Sequence, residues 1–311
     1  MSSKVVVVTG ASSGIGRAAA VSFARRGDRV VLAARGAADL AAAAAECGPD
    51  VLVVPADITD RADVEAVAEA AVDRFGRIDV WVDTAAVMAY GKFEDVPAEV
   101  FDRVIATDLL GPANVARVAL ARFRTQERGT LVLCGSLLGH VTVPWMSTYV
   151  TAKWGLRGLI RILQQETQDA PDIHVCTLAP GSVDTPIYTS AGNYAGFVGR
   201  PPPPVDSAQR MADAIVGLAD RPRKSVSVGA TNRLIEFGFT ALPAVYDALV
   251  PTLMRNAGLS RRPIEPHAGN VFGPMPRHEG GPARWSRAGV GLTALAAGTA
   301  LAVGAARLFK R

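Results

Sequence analysis

The sequence contains few of the residues that build disulfide or metal sites: three cysteines and four histidines occur among 311 residues. Cys47, Cys134 and Cys176 are odd in number, far apart and never in a CxxC pair. This excludes a disulfide framework or a cysteine zinc site, and it suits a reducing compartment. The histidines lie too far apart for an HExxH-type site, so no metal site is predicted. Charged residues make up 20% of the chain and hydrophobic residues 49%, which excludes global disorder.

The chain also lacks a basic patch of the kind that binds nucleic acid. Residues 1–254 carry 24 Lys or Arg against 27 Asp or Glu, whereas residues 255–311 carry 9 against 2. The positive net charge therefore belongs to the tail, and no nucleic-acid partner is predicted. The apolar run after Lys4 is too short for a secretory signal, so we expect a cytoplasmic catalytic domain.

Short apolar runs alternate with longer Ala-rich segments of helical character over the first 230 residues. Seven such runs are predicted as strands: 5–8, 30–34, 51–54, 78–82, 130–134, 173–178 and 225–228. The runs are continuous rather than alternating, which is typical of strands buried on both faces of a parallel sheet. The pattern predicts an α/β fold with a doubly wound parallel sheet, the Rossmann fold, over residues 1–230.

The pattern changes after residue 230. Residues 231–287 form an amphipathic and Pro/Arg-rich extension, within which 234–254 is apolar and contains two prolines. Residues 288–306 are a run of nineteen uncharged residues. As a helix they would span about 28 Å, close to the thickness of a bilayer core of about 30 Å. This segment is a candidate transmembrane helix. Its eight alanines and four glycines contribute little to the free energy of membrane insertion. Two alternatives therefore stay open: a helix that packs on the protein core or in an oligomer, and a low-complexity tail.

A glycine-rich turn, TGASSGIG at 9–16, lies between the first apolar run and an Ala-rich segment. Glycines there permit a tight turn, and the following helix N-terminus offers unpaired N–H groups to a phosphate. An ordinary strand–helix turn is the alternative, but the position at the first βα turn favours a dinucleotide site. The predicted cofactor-binding residues of this turn are Gly10, Ser12, Ser13, Gly14, Ile15 and Gly16.

The end of the second strand points to the choice of cofactor. An NAD site usually has an acidic residue here, but this strand ends in LAAR and offers Arg35 to a 2′-phosphate, with help from Arg17. We therefore predict NADP(H); the alternative is that Arg35 is a solvated surface residue. Asp57 follows the third strand and is suited to accept a hydrogen bond from the adenine amine. It could instead cap the next helix, as could Thr59 or Asp60.

A second group of residues carries acid–base chemistry. Tyr149 and Lys153 are four residues apart and so share one face of a helix. The ammonium is expected to lower the pKa of the phenol and ready it for proton transfer near neutral pH. Ser136 lies thirteen residues upstream at the end of strand 130–134, where its hydroxyl can hold a substrate carbonyl. Taken alone, the Tyr-x-x-x-Lys spacing is equally typical of two side chains that pair on the surface of a helix.

Together these motifs resemble the short-chain dehydrogenase/reductase superfamily, in the form with a catalytic core of roughly 250 residues. The resemblance covers about 1–230 and rests on the glycine turn, Asp57, Ser136, Tyr149-x-x-x-Lys153 and PGSVDT at 180–185. It implies that Tyr149 is the general acid/base, that Lys153 binds the nicotinamide ribose and that Ser136 orients the carbonyl. It also implies a small-molecule substrate and a homo-oligomer.

The resemblance adds further positions. The fourth catalytic residue of the family corresponds to Asp108. Further cofactor contacts are implied along the cleft and around the nicotinamide carboxamide, at Ile58, Asp83, Ala85, Pro180, Gly181, Val183 and Thr185.

Two positions depart from the family pattern. The usual Asn-Asn-Ala-Gly reads Asp83-Thr84-Ala85-Ala86, and the usual catalytic asparagine is Asp108. In the family this asparagine acts through its main-chain carbonyl, so the role survives the substitution, but a carboxylate near Lys153 could change the proton relay. These departures leave a second hypothesis open, a cofactor-binding but non-catalytic regulatory or scaffold protein.

The segments around the substrate carry no charged clamp. By resemblance, residues 184–215 form the substrate lid, and in the segment before Tyr149 the pocket is lined by His140, Val143, Pro144, Trp145 and Met146. Both segments are rich in aromatic and aliphatic residues. We therefore expect a lipophilic ketone, aldehyde or secondary alcohol as substrate.

Overall fold

The computed structural model describes residues 3–275, so the candidate transmembrane helix at 288–306 lies outside the described residues. The strands of the described part are β1 (Val5–Thr9), β2 (Arg29–Ala34), β3 (Val51–Pro55), β4 (Val80–Asp83), β5 (Ala89–Tyr90), β6 (Gly129–Cys134), β7 (Ile173–Pro180), β8 (Val183–Asp184), β9 (Gly192–Asn193), β10 (Phe197–Gly199), β11 (Asp206–Ser207), β12 (Ser225–Val228) and β13 (Leu259–Pro263). The helices are α1 (Gly14–Arg25), α2 (Ala37–Cys47), α3 (Arg61–Phe75), α4 (Ala98–Ile105), α5 (Gly111–Gln126), α6 (Ser147–Glu166), α7 (Ala208–Asp220), α8 (Asn232–Ala241) and α9 (Pro243–Leu253).

The central sheet has seven strands in the order β3-β2-β1-β4-β6-β7-β12, and all pairs are parallel. These are the seven predicted strands, so the predicted doubly wound fold is confirmed. The chain builds one half of the sheet outward from β1 to β3 and then returns to place β4 on the other side of β1. Loops diverge at this switch point and leave a crevice at the carboxyl ends of the strands, where such sheets bind ligands.

Both faces of the sheet are covered by helices. Side chains of successive residues point to opposite faces of a strand, and Val6 and Val8 pack in one core while Val7 packs in the other. The first core lies under α1, α2 and α7, and the second under α3, α5 and α6. This two-sided burial explains why the strands are continuous apolar runs.

The helical stretch Ala98–Gln126 is long and apolar enough to cross a membrane by length and composition. Half of its most apolar window is buried, and its α5 part packs in the second core. It therefore has the character of a core helix. A π-helical turn, Ala106–Leu110, interrupts it between α4 and α5 and contains the fully buried Asp108.

The lid is shorter than the family resemblance implies. Residues 183–207 form short paired strands, with β8 beside β11, β9 beside β5 and β10 beside β13. Residues 208–215, expected in the lid, instead begin α7, because Met211, Ala212 and Ile215 are fully buried in the first core.

The extension after residue 230 covers the cleft. Phe239 of α8 packs against Trp154 of α6 with ring centroids 6.1 Å apart, and against Tyr246 of α9 with ring centroids 5.2 Å apart. The Tyr246 hydroxyl also donates a hydrogen bond to the Thr142 carbonyl at 2.8 Å. Strand β13 then pairs with β10 of the lid, so the extension and the lid form one cover over the site.

We predict that Phe123→Ala lowers the free energy of unfolding by about 3–5 kcal/mol, the usual cost of emptying a fully buried phenylalanine site. Phe123 is fully buried in the second core and lies against Gly129. Urea unfolding measures the change. Phe93→Ala is the matched control, because Phe93 is 68% exposed, and it should cost less than about 1 kcal/mol. Equal losses in the two variants would contradict the assignment of Phe123 to the core.

Candidate active site

A single large cleft of about 2140 Å³ runs along the carboxyl ends of the strands. It joins the glycine turn after β1, the Ser136 region after β6 and the inner side of α8 and α9. Most of the predicted site residues line it: Gly10, Ser12, Ser13, Gly14, Ile15, Gly16, Arg17, Arg35, Asp57, Ile58, Ala85, Ser136, Tyr149, Lys153, Pro180, Gly181, Val183 and Thr185. Residues that are far apart in the sequence thus share one continuous surface.

The glycine turn has the shape of a phosphate cradle. Gly10 has φ +77°, and a Cβ there would lie 2.5 Å from the Ala85 amide nitrogen. A Cβ on Gly16 would lie 2.3 Å from the Gly10 carbonyl oxygen, so neither position tolerates a side chain. Ser13 precedes α1 in an extended conformation and makes no side-chain cap, which leaves the first N–H groups of the helix for a ligand. These features fit the pyrophosphate of a dinucleotide.

The opposite wall of the cradle comes from the segment after β7. A Cβ on Gly14 would lie 3.2 Å from the Thr185 methyl group, so the turn and this segment are in near contact. The family resemblance implies that Thr185 holds the nicotinamide carboxamide. The geometry brings it and the cradle to the same part of the cleft.

Two predicted phosphate ligands already have protein partners. Arg17 forms an ion pair with Glu46 at 2.7 Å. The two terminal nitrogens of Arg35 donate to the carbonyl oxygens of Asn270 and Val271 at 2.7 and 3.1 Å. Arg35 is partly buried and is therefore not a solvated surface residue, the alternative left open by the sequence.

Asp57 is held at the adenosine end of the cleft. It accepts hydrogen bonds from the amide and hydroxyl of Thr59 and forms an ion pair with Arg103. Burial alone raises the pKa of Asp57, but the bonds from Thr59 and Arg103 outweigh it and lower the pKa. Helix α3 is capped by Asp60, which accepts from the Ala62 amide at 2.8 Å, so Asp57 is not the helix cap.

Helix α6 and strand β6 bring Ser136, Tyr149 and Lys153 together. The Lys153 Nζ atom lies 5.3 Å from the centroid of the Tyr149 ring and donates to the Cys134 carbonyl oxygen at 3.3 Å. The Ser136 Oγ accepts a hydrogen bond from the Leu138 amide at 3.0 Å, which fixes its orientation. These residues form a compact group in the middle of the cleft.

The pKa of the Tyr149 phenol differs from the expectation. Burial raises this pKa, whereas the Lys153 ammonium and a hydrogen bond with Ser136 lower it. The net direction is upward, so the predicted lowering is wrong as a net effect, although the contribution of Lys153 has the predicted sign. The reason is that a negative charge on an enclosed phenol loses its hydration.

Two carboxylates lie behind the wall of the cleft. Asp108 accepts a hydrogen bond from the Val87 amide at 2.8 Å, and its other oxygen lies 3.5 Å from Lys153 Nζ without a hydrogen-bond partner among the described residues. Asp83 accepts from the Thr9 hydroxyl at 2.7 Å. Neither side chain reaches the surface of the cleft, so the geometry provides no contact between the Asp83 side chain and a cofactor.

The two carboxyl groups titrate near neutral pH. Burial raises the pKa of each to about 6 against the lowering effect of Lys153, and the charge of Asp83 adds to the increase at Asp108. Burial lowers the pKa of Lys153, but the charges of Asp108, Tyr149, Cys134 and Asp83 together outweigh it, so the net direction is upward. Lys153 therefore stays an ammonium ion while Asp108 changes charge.

The end of the cleft around Tyr149 is apolar, and it combines residues of the predicted lid and pocket segments with residues that sequence reasoning did not assign to the site. A cluster around Tyr149 includes Met88, Tyr90, Met146, Ile187, Tyr188, Val250 and Met254. In the sequence, the apolar stretch 234–254 is the one indication that the extension contributes to the site. Such a stretch is equally typical of a segment that binds a membrane surface, so it did not identify the cavity. Val143 and Met146 line the cleft as expected, whereas His140, Pro144 and Trp145 do not. Trp145 is instead covered by Arg255 at 5.8 Å.

Comparison with known proteins agrees with this geometry. Residues 4–194 match the family model described as short chain dehydrogenase. The uncharacterized oxidoreductase YxnA of Bacillus subtilis is 32% identical over 273 residues, which covers 85% of this chain and 76% of that protein. D-beta-hydroxybutyrate dehydrogenase of Rhizobium meliloti is 33% identical over 189 residues, which covers 59% of this chain and 73% of that protein.

Solved structures show the same fold. An alcohol dehydrogenase from the archaeon Thermococcus sibiricus, complexed with 5-hydroxy-NADP, has a TM-score of 0.64 and 28% identity, covering 73% of this chain and 96% of that one. The structure of levodione reductase has a TM-score of 0.65 and 26% identity, and the match covers 74% of this chain and 98% of that one. The chain belongs to the short-chain dehydrogenase/reductase superfamily and is an oxidoreductase of that type.

Proposed function

We propose that this protein is an NADP(H)-dependent oxidoreductase that interconverts a lipophilic secondary alcohol and its carbonyl compound. The observation that carries the proposal is the grouping of Ser136, Tyr149 and Lys153 in one cleft with the glycine cradle. The relatives named as dehydrogenases and the alcohol dehydrogenase structure support the same reaction class. The bound nicotinamide supplies the hydride in reduction and accepts it in oxidation.

The protein residues move the proton. In alcohol oxidation the substrate hydroxyl transfers its proton to the Tyr149 oxygen while the Ser136 hydroxyl donates a hydrogen bond to the same substrate oxygen. Lys153 favours the anionic form of Tyr149 because its ammonium lies 5.3 Å from the ring. In carbonyl reduction the phenol returns the proton to the oxygen.

The proton then needs a route away from Tyr149. Asp108 lies 3.5 Å from Lys153, so the carboxylate can accept a proton from the ammonium, and the amine that results takes up the proton released by Tyr149. This direct side-chain contact differs from the main-chain role expected for the family position. In the proposed scheme, Asp108 acts through Lys153 and not on the substrate.

The choice of NADP(H) rests on the end of β2. The chain has no acidic side chain between Leu32 and Arg35, and the guanidinium of Arg35 lies on the wall of the cleft. A 2′-phosphate matches a guanidinium, whereas a 2′-hydroxyl prefers a carboxylate. The match to a structure complexed with 5-hydroxy-NADP supports this choice.

We predict that Tyr149→Phe lowers kcat by about 100- to 10,000-fold, because it removes the general acid, and leaves NADPH binding nearly unchanged. A panel of lipophilic carbonyl compounds, followed by NADPH absorbance, gives kcat, and fluorescence titration gives the Kd. Tyr194→Phe is the control, since Tyr194 lies in the lid but outside the lining of the cleft. Wild-type protein that binds NADPH and turns over none of the panel would favour the non-catalytic alternative.

Arg35→Asp is predicted to shift the ratio of kcat/KM for NADPH over NADH towards NADH by about tenfold or more, since a charge-assisted contact to phosphate is lost. Arg25→Asp makes the same charge change at the exposed end of α1 and should leave the ratio as it is. An unchanged ratio in Arg35→Asp would remove the case for NADP(H).

The pH dependence tests Asp108. Its pKa of about 6 predicts that the rate of alcohol oxidation falls as the pH drops through 6, because the protonated carboxyl no longer accepts a proton from Lys153. Asp108→Asn should stay folded and lose this inflection at saturating cofactor. Asp83→Asn should keep the inflection and move it to lower pH, since the Asp83 charge raises the pKa of Asp108. Superimposable curves for all three proteins would show that only the main chain at 108 matters.

A further inference from the structure

Residues 267–271 of the extension, called the strap here, run along the lid. The His267 and Asn193 backbones exchange hydrogen bonds of 2.7 and 3.0 Å, and the Asn270 amide donates to the Ser190 carbonyl at 2.8 Å. Val271 is fully buried in a cluster that includes Val87. The strap is therefore a fixed part of the fold, although it lies beyond the 1–230 domain expected from the sequence.

The strap also fixes Arg35. The carbonyl oxygens of Asn270 and Val271 each accept one N–H of the guanidinium. A guanidinium has five N–H donors, so three remain for a ligand. Just beyond the strap, the Pro274 ring lies 3.4 Å from the position of a Cβ on Gly36, so the chain continues across the end of β2. A flexible side chain thus becomes an oriented one at the expected position of the 2′-phosphate.

Two polar atoms of the strap are enclosed without partners. The Nε2 atom of His267 and the Oδ1 atom of Asn270 are buried and have no hydrogen-bond partner among residues 3–275, and both residues line the cleft. The Nδ1 atom of His267 accepts from the Gly269 amide at 3.1 Å, so in the neutral ring Nε2 is a donor. Buried polar groups are normally satisfied. One donor and one acceptor left open in a nucleotide cleft indicate a ligand with both kinds of group.

We propose that the strap is part of the cofactor site, where it orients Arg35 for the 2′-phosphate and contacts the adenosine half of NADP(H) through His267 and Asn270. This inference rests on the proposed function. It assigns cofactor affinity and phosphate selectivity to a segment that lies after the Rossmann domain. A strap that only fastened the lid would need neither the two open polar atoms nor the contacts to Arg35.

Two glycines allow a matched test in the full-length protein. Gly269 has φ +57°, and a Cβ there would lie 2.4 Å from the Ala191 backbone, so Gly269→Ala displaces the strap while the arginine at position 35 is retained. A Cβ on Gly273 would meet nothing within 4 Å, so Gly273→Ala is the control. Fluorescence titration gives the Kd for NADPH and NADH, and stopped-flow displacement gives the dissociation rates.

We expect Gly269→Ala to raise the Kd for NADPH about tenfold or more, to raise the Kd for NADH less, and to speed NADPH release, because the phosphate contact loses its orientation. Gly273→Ala should match the wild type. Equal NADPH affinities in all three proteins would overturn the role of the strap and leave the proposed function standing. A wild type that binds no NADPH would overturn the proposed function itself.

Hydrogen exchange on the wild-type protein keeps the test independent of how well a variant folds. Saturating NADPH should slow exchange of the amides at 267–271, whereas NADH at saturation should slow it less. Identical exchange with and without NADPH would contradict the strap as a ligand contact. In an Arg35→Ala background, Gly269→Ala should no longer change the NADPH-to-NADH ratio, and a full effect there would refute the orientation of Arg35.

Discussion

A buried ammonium ion constrains the arrangement of the active site. The Lys153 side chain is almost completely enclosed, and a charge can be buried only if other groups replace its hydration. The Cys134 carbonyl and the Asp108 carboxylate supply that replacement. The π-helical turn at Ala106–Leu110 carries Asp108, and α6 carries Lys153 together with Tyr149. The position of the proposed catalytic residues thus depends on one enclosed ion pair.

The two substitutions of aspartate for asparagine belong to the same electrostatic system. Asp83 and Asp108 are both buried, and each interacts with Lys153. Burial raises both pKa values to about 6, and the charge of the single Lys153 ammonium only partly offsets that increase. The departures from the family pattern give the site groups that change charge near physiological pH.

The extension gives the cleft its second wall. Helices α8 and α9 add apolar residues near Tyr149, and the strap reaches Arg35 at the opposite end. The alignment with YxnA covers more of the chain than residues 1–230, so it includes part of this extension. The solved structures are matched over about three quarters of this chain. Elements beyond the Rossmann domain thus line the cleft.

The sequence alone determined the seven strands of the sheet and picked out most of the candidate residues that line the cleft, because both depend on local pattern. Continuous apolar runs predict buried parallel strands, and the glycine turn requires residues without side chains at Gly10 and Gly16. The tertiary structure decided which groups Arg35 meets, where 234–254 packs and in which direction the pKa of Tyr149 moves. These depend on contacts between residues up to 236 positions apart and on enclosure from all sides, which no local spacing encodes.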